Sequence, residues 1–241
     1  MQQSSFWQKD VYRYVVLGCG LFVLLTVIAM FTYPGGTYTD DSTVGYNFFH
    51  NFFSDLGRVT APNGQPNTVS MFLFFTALTI SGIGLVFFFI TFRQFFNRDK
   101  IGNWISLLGT IIGVASGLCF VGIACVPYDL NLDLHYQLVF WAFRTFLFAV
   151  GIYAYVIFRQ NIYPRRYGWI FVAFAVFLAA YIVLLEFGPA ASTPSGLVIQ
   201  ATGQKIIVYI SIISAMAQSW AAYTFHAKNQ RLATDFTDFH G

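Results

Sequence analysis

Two stretches of the chain gather side chains that can bind or react. The first is Asn47-Phe48-Phe49-His50-Asn51-Phe52-Phe53-Ser54-Asp55-Leu56-Gly57-Arg58. Read as a helix, it places Phe48, Phe49, Phe52, Phe53 and Leu56 on one face and the polar residues on the other, with Gly57 as terminator. His50 and Ser54 stand four apart, as do Asn51 and Asp55, so each pair would be neighbours. A carboxylate, an imidazole and a hydroxyl so placed can serve general acid–base chemistry. Covalent catalysis by Ser54 is the weaker reading, since no strained nucleophile turn surrounds it. An interfacial helix whose polar face simply meets water leaves the same pattern. The second stretch is Pro127-Tyr128-Asp129-Leu130-Asn131-Leu132-Asp133-Leu134-His135. Asp129 and His135 could act as acid and base there or bind a metal, although a lone His at a helix start also serves as an interfacial or capping residue.

Charge and amide groups within apolar runs form a second class of candidates. Arg144 lies about 13 Å along a helix from His135, at 1.5 Å per residue. A buried Arg at that depth needs a partner or marks function. Glu186 is the only acidic residue inside an apolar run. Gln200 and Gln204 share a helix face, with Lys205 beside it. Arg144, Gln200, Gln204, Lys205 and Glu186 are therefore candidate ligand-binding residues, with interhelical hydrogen bonds or a structural ion pair as the plainer reading. Gln218 and His226 belong near the opposite end.

Several chemistries have no support. No phosphate-binding glycine loop, His-Glu-x-x-His or Gly-x-Ser-x-Gly occurs. No cofactor is indicated, a three-His zinc site is not expected, and nothing points to nucleic acid. Cys19, Cys119 and Cys125 are odd in number and lie in apolar runs, so they read as buried thiols and not as a disulfide framework.

The elements that must position these residues are membrane helices. Of the 241 residues 57% are hydrophobic and only 10% charged, against about 25% charged in a soluble domain. Six apolar runs reach spanning length: 14–33, 69–92, 104–126, 136–158, 169–187 and 197–225. They lack the period-two alternation of a membrane barrel. The first run is followed by Pro34-Gly35-Gly36 and reads as a retained helix. The expected fold is an all-α membrane protein, one domain over 1–241, a six-transmembrane-helix bundle with a short amphipathic interfacial helix near 47–57. The tail from Thr234 should be frayed.

Lys9, Arg13, Arg93, Arg98, Lys100, Arg159, Arg165, Arg166, Lys228 and Arg231 fall on one side of these spans. The other side holds Arg58, and Lys205 at a helix mouth, with Asp40, Asp41, Asp55, Asp129 and Asp133. The positive-inside rule then predicts a multi-pass cell-membrane protein with both termini cytoplasmic.

Phe53-Ser54-Asp55-Leu56-Gly57 after the first span, with Pro62 and Asn67 before the second, resembles a bacterial six-span membrane family catalogued as domain of unknown function 998. The stretch from Gly122 through Pro127, Tyr128 and Asp129 to His135 is similar to its second motif. More distantly, the Ser-Asp-x-Gly element is similar to DRAM and Sfk-type six-span proteins and to related GPI-lipid-remodelling proteins. The resemblance implies six helices, an outer-face motif at Ser54, Asp55, Gly57, Pro127, Asp129 and His135, and a tie to lipids.

The combined expectation is an outer-leaflet polar cavity that binds or processes a lipid or other amphiphile, with membrane lipids as partners. Asp55 or His135 would be the general base of any reaction, and Arg144, Gln204 and Lys205 would hold a polar head group. A small-solute transporter or channel, and a non-catalytic scaffold or lipid sensor, stay open. So does assembly into a homo-oligomer.

Overall fold

A computed structural model describes residues 9–97, 99–160 and 162–238, with side chains as far as residue 228. Its six helices are α1 (Val11–Thr32), α2 (Thr68–Phe92), α3 (Lys100–Cys125), α4 (Leu132–Gln160), α5 (Arg165–Phe187) and α6 (Pro194–Asp238). Each is long and apolar enough to cross a membrane, α6 over Pro194–Lys228. Short 3-10 turns occupy Phe53–Gly57 and Arg93–Phe96. Extended pairing among the described residues is limited to two isolated bridges, Gly35 with Val44 and Thr60 with Pro66.

Helices form because a backbone in hydrocarbon must satisfy its own polar groups. Polar residues then fix their ends. Asp99 accepts from the Gly102 amide at 2.7 Å to start α3, and Asn131 accepts from the Leu134 amide at 3.1 Å to start α4. Thr193 does the same for Gly196 at the start of α6, where Pro194 follows. With these caps α3 begins at Lys100 and α4 at Leu132, four residues before their apolar runs; α5, which has no side-chain cap, also begins four before, at Arg165. Thr234–Asp238 continues α6 where a frayed tail was expected; residues 239–241, like Arg98 of the charge argument, lie outside the described residues.

Every helix packs on its neighbours in sequence, and α1 closes against α6, so the six form a ring. Phe31, Phe72, Ile111, Phe148, Val176 and Ile213 point outward and are exposed, as lipid-facing side chains are. Small residues let α2 and α3 approach closely. A Cβ on Gly82 of α2 would sit 2.8 Å from the Gly117 carbonyl oxygen of α3, and Gly113 lies beneath the Phe89 ring. Gly109, Gly113 and Gly117 share one α3 face; Gly117 meets the α2 backbone, Gly113 the Phe89 ring, and Gly109 the Ile152 and Tyr153 side chains of α4. Of the cysteines, Cys19 is buried, Cys119 half-buried and Cys125 exposed, so the expectation of three buried thiols is corrected for Cys125, which is on the outward surface of α3.

The ring has two unlike ends. One, the loop end, carries the α1–α2, α3–α4 and α5–α6 connections. The other, the terminal end, holds the first residue of the described chain, Lys9, over the Tyr223 ring of α6. It is filled by aromatic side chains: Phe92 lies 4.9 Å from Phe88, 5.1 Å from Tyr153 and 5.3 Å from Tyr163, ring to ring. The Tyr153 hydroxyl is satisfied by Thr110 at 2.7 Å and the Ser106 carbonyl at 3.1 Å. Gln218 donates to the Tyr167 carbonyl and His226 stands beside Phe95, both away from the loop end as expected.

Candidate functional site

The α1–α2 connection folds over the loop end as a cap. Gly36 makes the first reversal possible: its φ is +83°, and a Cβ there would lie 2.6 Å from the Asn63 amide. The 47–57 segment is not the amphipathic α-helix that its periodicity suggests. Residues 48–51 turn, Phe52 is extended, and only Phe53–Gly57 is helical, as a 3-10 turn. Asparagine side chains compete with a helix here. Asn47 Oδ1 accepts from the Phe49 amide at 3.1 Å and Asn51 Oδ1 from the Asn47 amide at 2.9 Å. The facing is also mixed, since Phe53 and Leu56 of the apolar face are buried. Phe48 and Phe49 are exposed, whereas Asn51 is 0% and Asp55 1% exposed.

Asp55 is the centre of the cap. Its Oδ2 accepts from the Phe52 amide at 2.7 Å and from Asn51 Nδ2 at 3.1 Å; its Oδ1 accepts from the Tyr128 hydroxyl at 2.6 Å. Tyr128 in turn accepts from Arg58, whose guanidinium lies 4.6 Å from the Tyr128 ring centroid. Burial drives the Asp55 carboxyl above the ordinary carboxylate range, with the three hydrogen bonds and Arg58 opposing that rise only in part. Burial and the Asp55 charge push the Tyr128 phenol upward, so its proton stays in place to be donated.

Neighbouring groups lock the same turn. Asn67 Nδ2 donates to the Leu56 and Arg58 carbonyls at 3.1 and 2.9 Å, and Ser70 donates to the Leu56 carbonyl at 3.1 Å. Asp129 accepts from the Val59 and Thr60 amides at 3.1 and 3.0 Å. The Ser54–Gly57 stretch and the Pro127–Asp129 stretch are thus brought into direct contact. From α6, Lys205 is 0% exposed and donates to the Asn51 and Ala201 carbonyls. The rings of Tyr46 and Phe48 lie 5.4 and 5.2 Å from its ammonium.

The 3-10 turn also reaches into the ring. The Phe53 amide donates to Gln204 Oε1 at 2.6 Å, and Gln204 is hydrogen-bonded to Tyr181. The Phe53 ring sits 5.9 Å from Phe22, 6.3 Å from Phe74 and 5.8 Å from Tyr209. Beneath it, between the helices, lies a partly open cavity of about 120 Å³. Phe22, Phe74, Leu78, Phe143 and Val208 are among its walls, and Ser54, His135 and Gln204 supply polar groups at its boundary.

His135 is 5% exposed, and its Nδ1 lies 2.7 Å from the Val126 carbonyl. A carbonyl only accepts, so Nδ1 carries the proton and the neutral ring keeps its lone pair on Nε2. No described protein group bonds Nε2, and none bonds the Ser54 hydroxyl.

The other candidates lie elsewhere. His50 bonds Asn47 Oδ1 at 3.0 Å and is not on the cavity. Arg144 pairs with Glu186 across α4 and α5, stacks on the Phe140 ring and likewise does not line the cavity. Gln200 donates to the Leu184 and Pro189 carbonyls and pins the α5–α6 connection. No cluster of three or more His, Cys, Asp or Glu residues suited to a metal ion occurs among the described residues. From sequence Tyr128 and Asn67 enter only as parts of the two motifs, and none of Tyr128, Asn51 and Asn67 stands as a site residue; the expected Asn51–Asp55 pairing is formed.

No family model, no curated protein and no solved structure matches the chain.

Proposed function

We propose that the protein binds a membrane lipid or other amphiphile in the cavity beneath the loop-end cap. One observation carries this reading. A partly open space walled mainly by apolar side chains, with Ser54, His135 and Gln204 at its cap side, is the pattern an amphiphile matches. The anchored cap supports it, because the bonds to Asp55, Asp129 and Lys205 hold Ser54 in place over the space. On the charge rule the terminal end, with Arg93, Arg159, Arg165 and Arg166, faces the cytoplasm and the cap lies outside.

Asp55 suits a positioning role better than that of a base. Both its oxygens are engaged, and it does not line the cavity. His135, which keeps an unshared Nε2, and Ser54 both line the cavity, and this favours hydrolysis or transfer on the bound lipid as a second reading. Permeation is disfavoured by the aromatic filling of the terminal end.

The test is lipid analysis of the full chain purified in nanodiscs, before and after incubation with a panel of membrane lipids. A co-purifying amphiphile is expected. A product formed by wild type but not by His135→Leu would establish the catalytic form of the proposal. Absence of any retained amphiphile would refute binding.

A further inference from the structure

Separate from the cavity, we infer a site for an anionic phospholipid on the α1–α6 seam at the terminal end, with Lys9 and Arg13 holding its phosphate. The two cations converge on one ring of the neighbouring helix: Lys9 Nζ lies 5.2 Å and Arg13 Cζ 5.8 Å from the Tyr223 ring centroid. Neither pairs with a described carboxylate. Other arginines at this end are engaged, Arg159 by Asp99, Arg93 by Asn103 and Arg166 by the Tyr167 hydroxyl. Asp10 stands between the two cations in sequence without an ion pair or a cap bond among the described residues. Neither α1 nor α6 as far as residue 228 contains an acidic residue. Two cations against one acid leave a single positive charge, which a singly anionic head group neutralises and a zwitterionic one does not.

Depth identifies the ligand as a lipid. Trp104 of α3, Trp169 of α5 and Trp220 of α6 are all exposed near the terminal end, and tryptophans so placed mark the membrane–water interface. Trp220 stands beside Tyr223, with ring centroids 5.7 Å apart. Lys9 and Arg13 are therefore at head-group level, where a lipid phosphate accepts from both. Toward the loop end the same faces become apolar and exposed. Leu17 and Leu24 follow Arg13 on α1, and Ile213 and Ile206 precede Trp220 on α6. Because α1 packs against α6, acyl chains have a bed directly beyond the phosphate. A soluble anion would use the charges and leave this apolar surface unmatched. The seam faces the bilayer, so its lipid exchanges and is not carried along when the membrane is removed.

The experiment uses the full chain in phosphatidylcholine nanodiscs that carry a trace of a photoactivatable lipid, either phosphatidylglycerol or phosphatidylcholine with the same diazirine-bearing chains. Labelled peptides are mapped by mass spectrometry. Phosphatidylglycerol should label the seam around Leu17 and Ile213 about tenfold more than phosphatidylcholine does. Lys9→Gln with Arg13→Gln should abolish that preference, whereas Lys9→Arg with Arg13→Lys, which keeps both charges, should retain it. Should the Gln pair fail to fold, Arg13→Gln alone, at an exposed position, should still lower the preference severalfold. Equal labelling of the seam by the two lipids would overturn the inference, as would a preference unchanged by the Gln substitutions. A preference equally strong around Trp104 and Trp169 would also overturn it, since attraction to the whole basic end would then suffice. None of these results bears on occupancy of the cavity.

Discussion

The Tyr128 hydroxyl donates to Asp55 Oδ1 at 2.6 Å, joining residues that lie 73 positions apart. That bond ties the α3–α4 connection to the 3-10 turn of the α1–α2 cap, with Arg58 completing it. It is made in a buried setting, where loss of one partner leaves the other exposed to its full desolvation cost. Tyr128→Phe should therefore destabilise the protein by about 1–3 kcal/mol. The measurement is the thermal midpoint in nanodiscs, with hydrogen exchange over 51–58 expected to quicken.

Asp55 predicts a pH dependence. Its folded pKa is raised by burial above that of the unfolded chain. The folded state then holds the proton more tightly. The corresponding stability is fully present below the ordinary carboxylate pKa and is lost as pH rises through the higher folded value. Other acids titrate as well, so the readout is the difference between wild type and Asp55→Asn. Wild type should gain on the variant as pH is lowered through that window; a constant difference would contradict the assignment.

Lys205→Met removes the ammonium that bonds the Asn51 carbonyl and faces the Tyr46 and Phe48 rings. A charge-assisted bond contributes about 1.5–3 kcal/mol. The expected result is a lower thermal midpoint by a comparable amount, with local loosening of 46–52 seen by hydrogen exchange and α2–α5 unaffected.

Arg144 and Glu186 form a pair that is separate from the cavity. Replacing both by Leu should leave any retained amphiphile unchanged in identity and amount. A lost amphiphile in that double variant would place the pair in the site after all.

Much of the fold could be read from the sequence because membrane helices need little more than continuous apolar length. The six runs and the termini of α1, α2 and α5 near 32, 92 and 187 follow directly. The helix starts did not, because Asp99, Asn131 and Thr193 cap helices outside the apolar runs. The 47–57 segment misled because five apolar residues at helical spacing outweighed two asparagines, yet Asn47 and Asn51 redirect the local backbone bonds. Asp55 and Asp129 were visible as chemistry-bearing residues. Their role as anchors was not, since it depends on amides and a phenol that reach them only through tertiary contact. Lys205 looked like a ligand contact; its position at the loop end was legible, but the Asn51 carbonyl that occupies it was not.

The central claim is occupancy of the cavity, and native mass spectrometry of the full chain released from its own membrane tests it most directly. Val208→Trp fills the cavity from its α6 wall, while Arg144→Leu with Glu186→Leu leaves it open. A bound mass carried by wild type and by the Leu double variant, but absent from Val208→Trp, is the predicted result. A wild-type protein with no bound mass, or a mass retained by Val208→Trp, would contradict it.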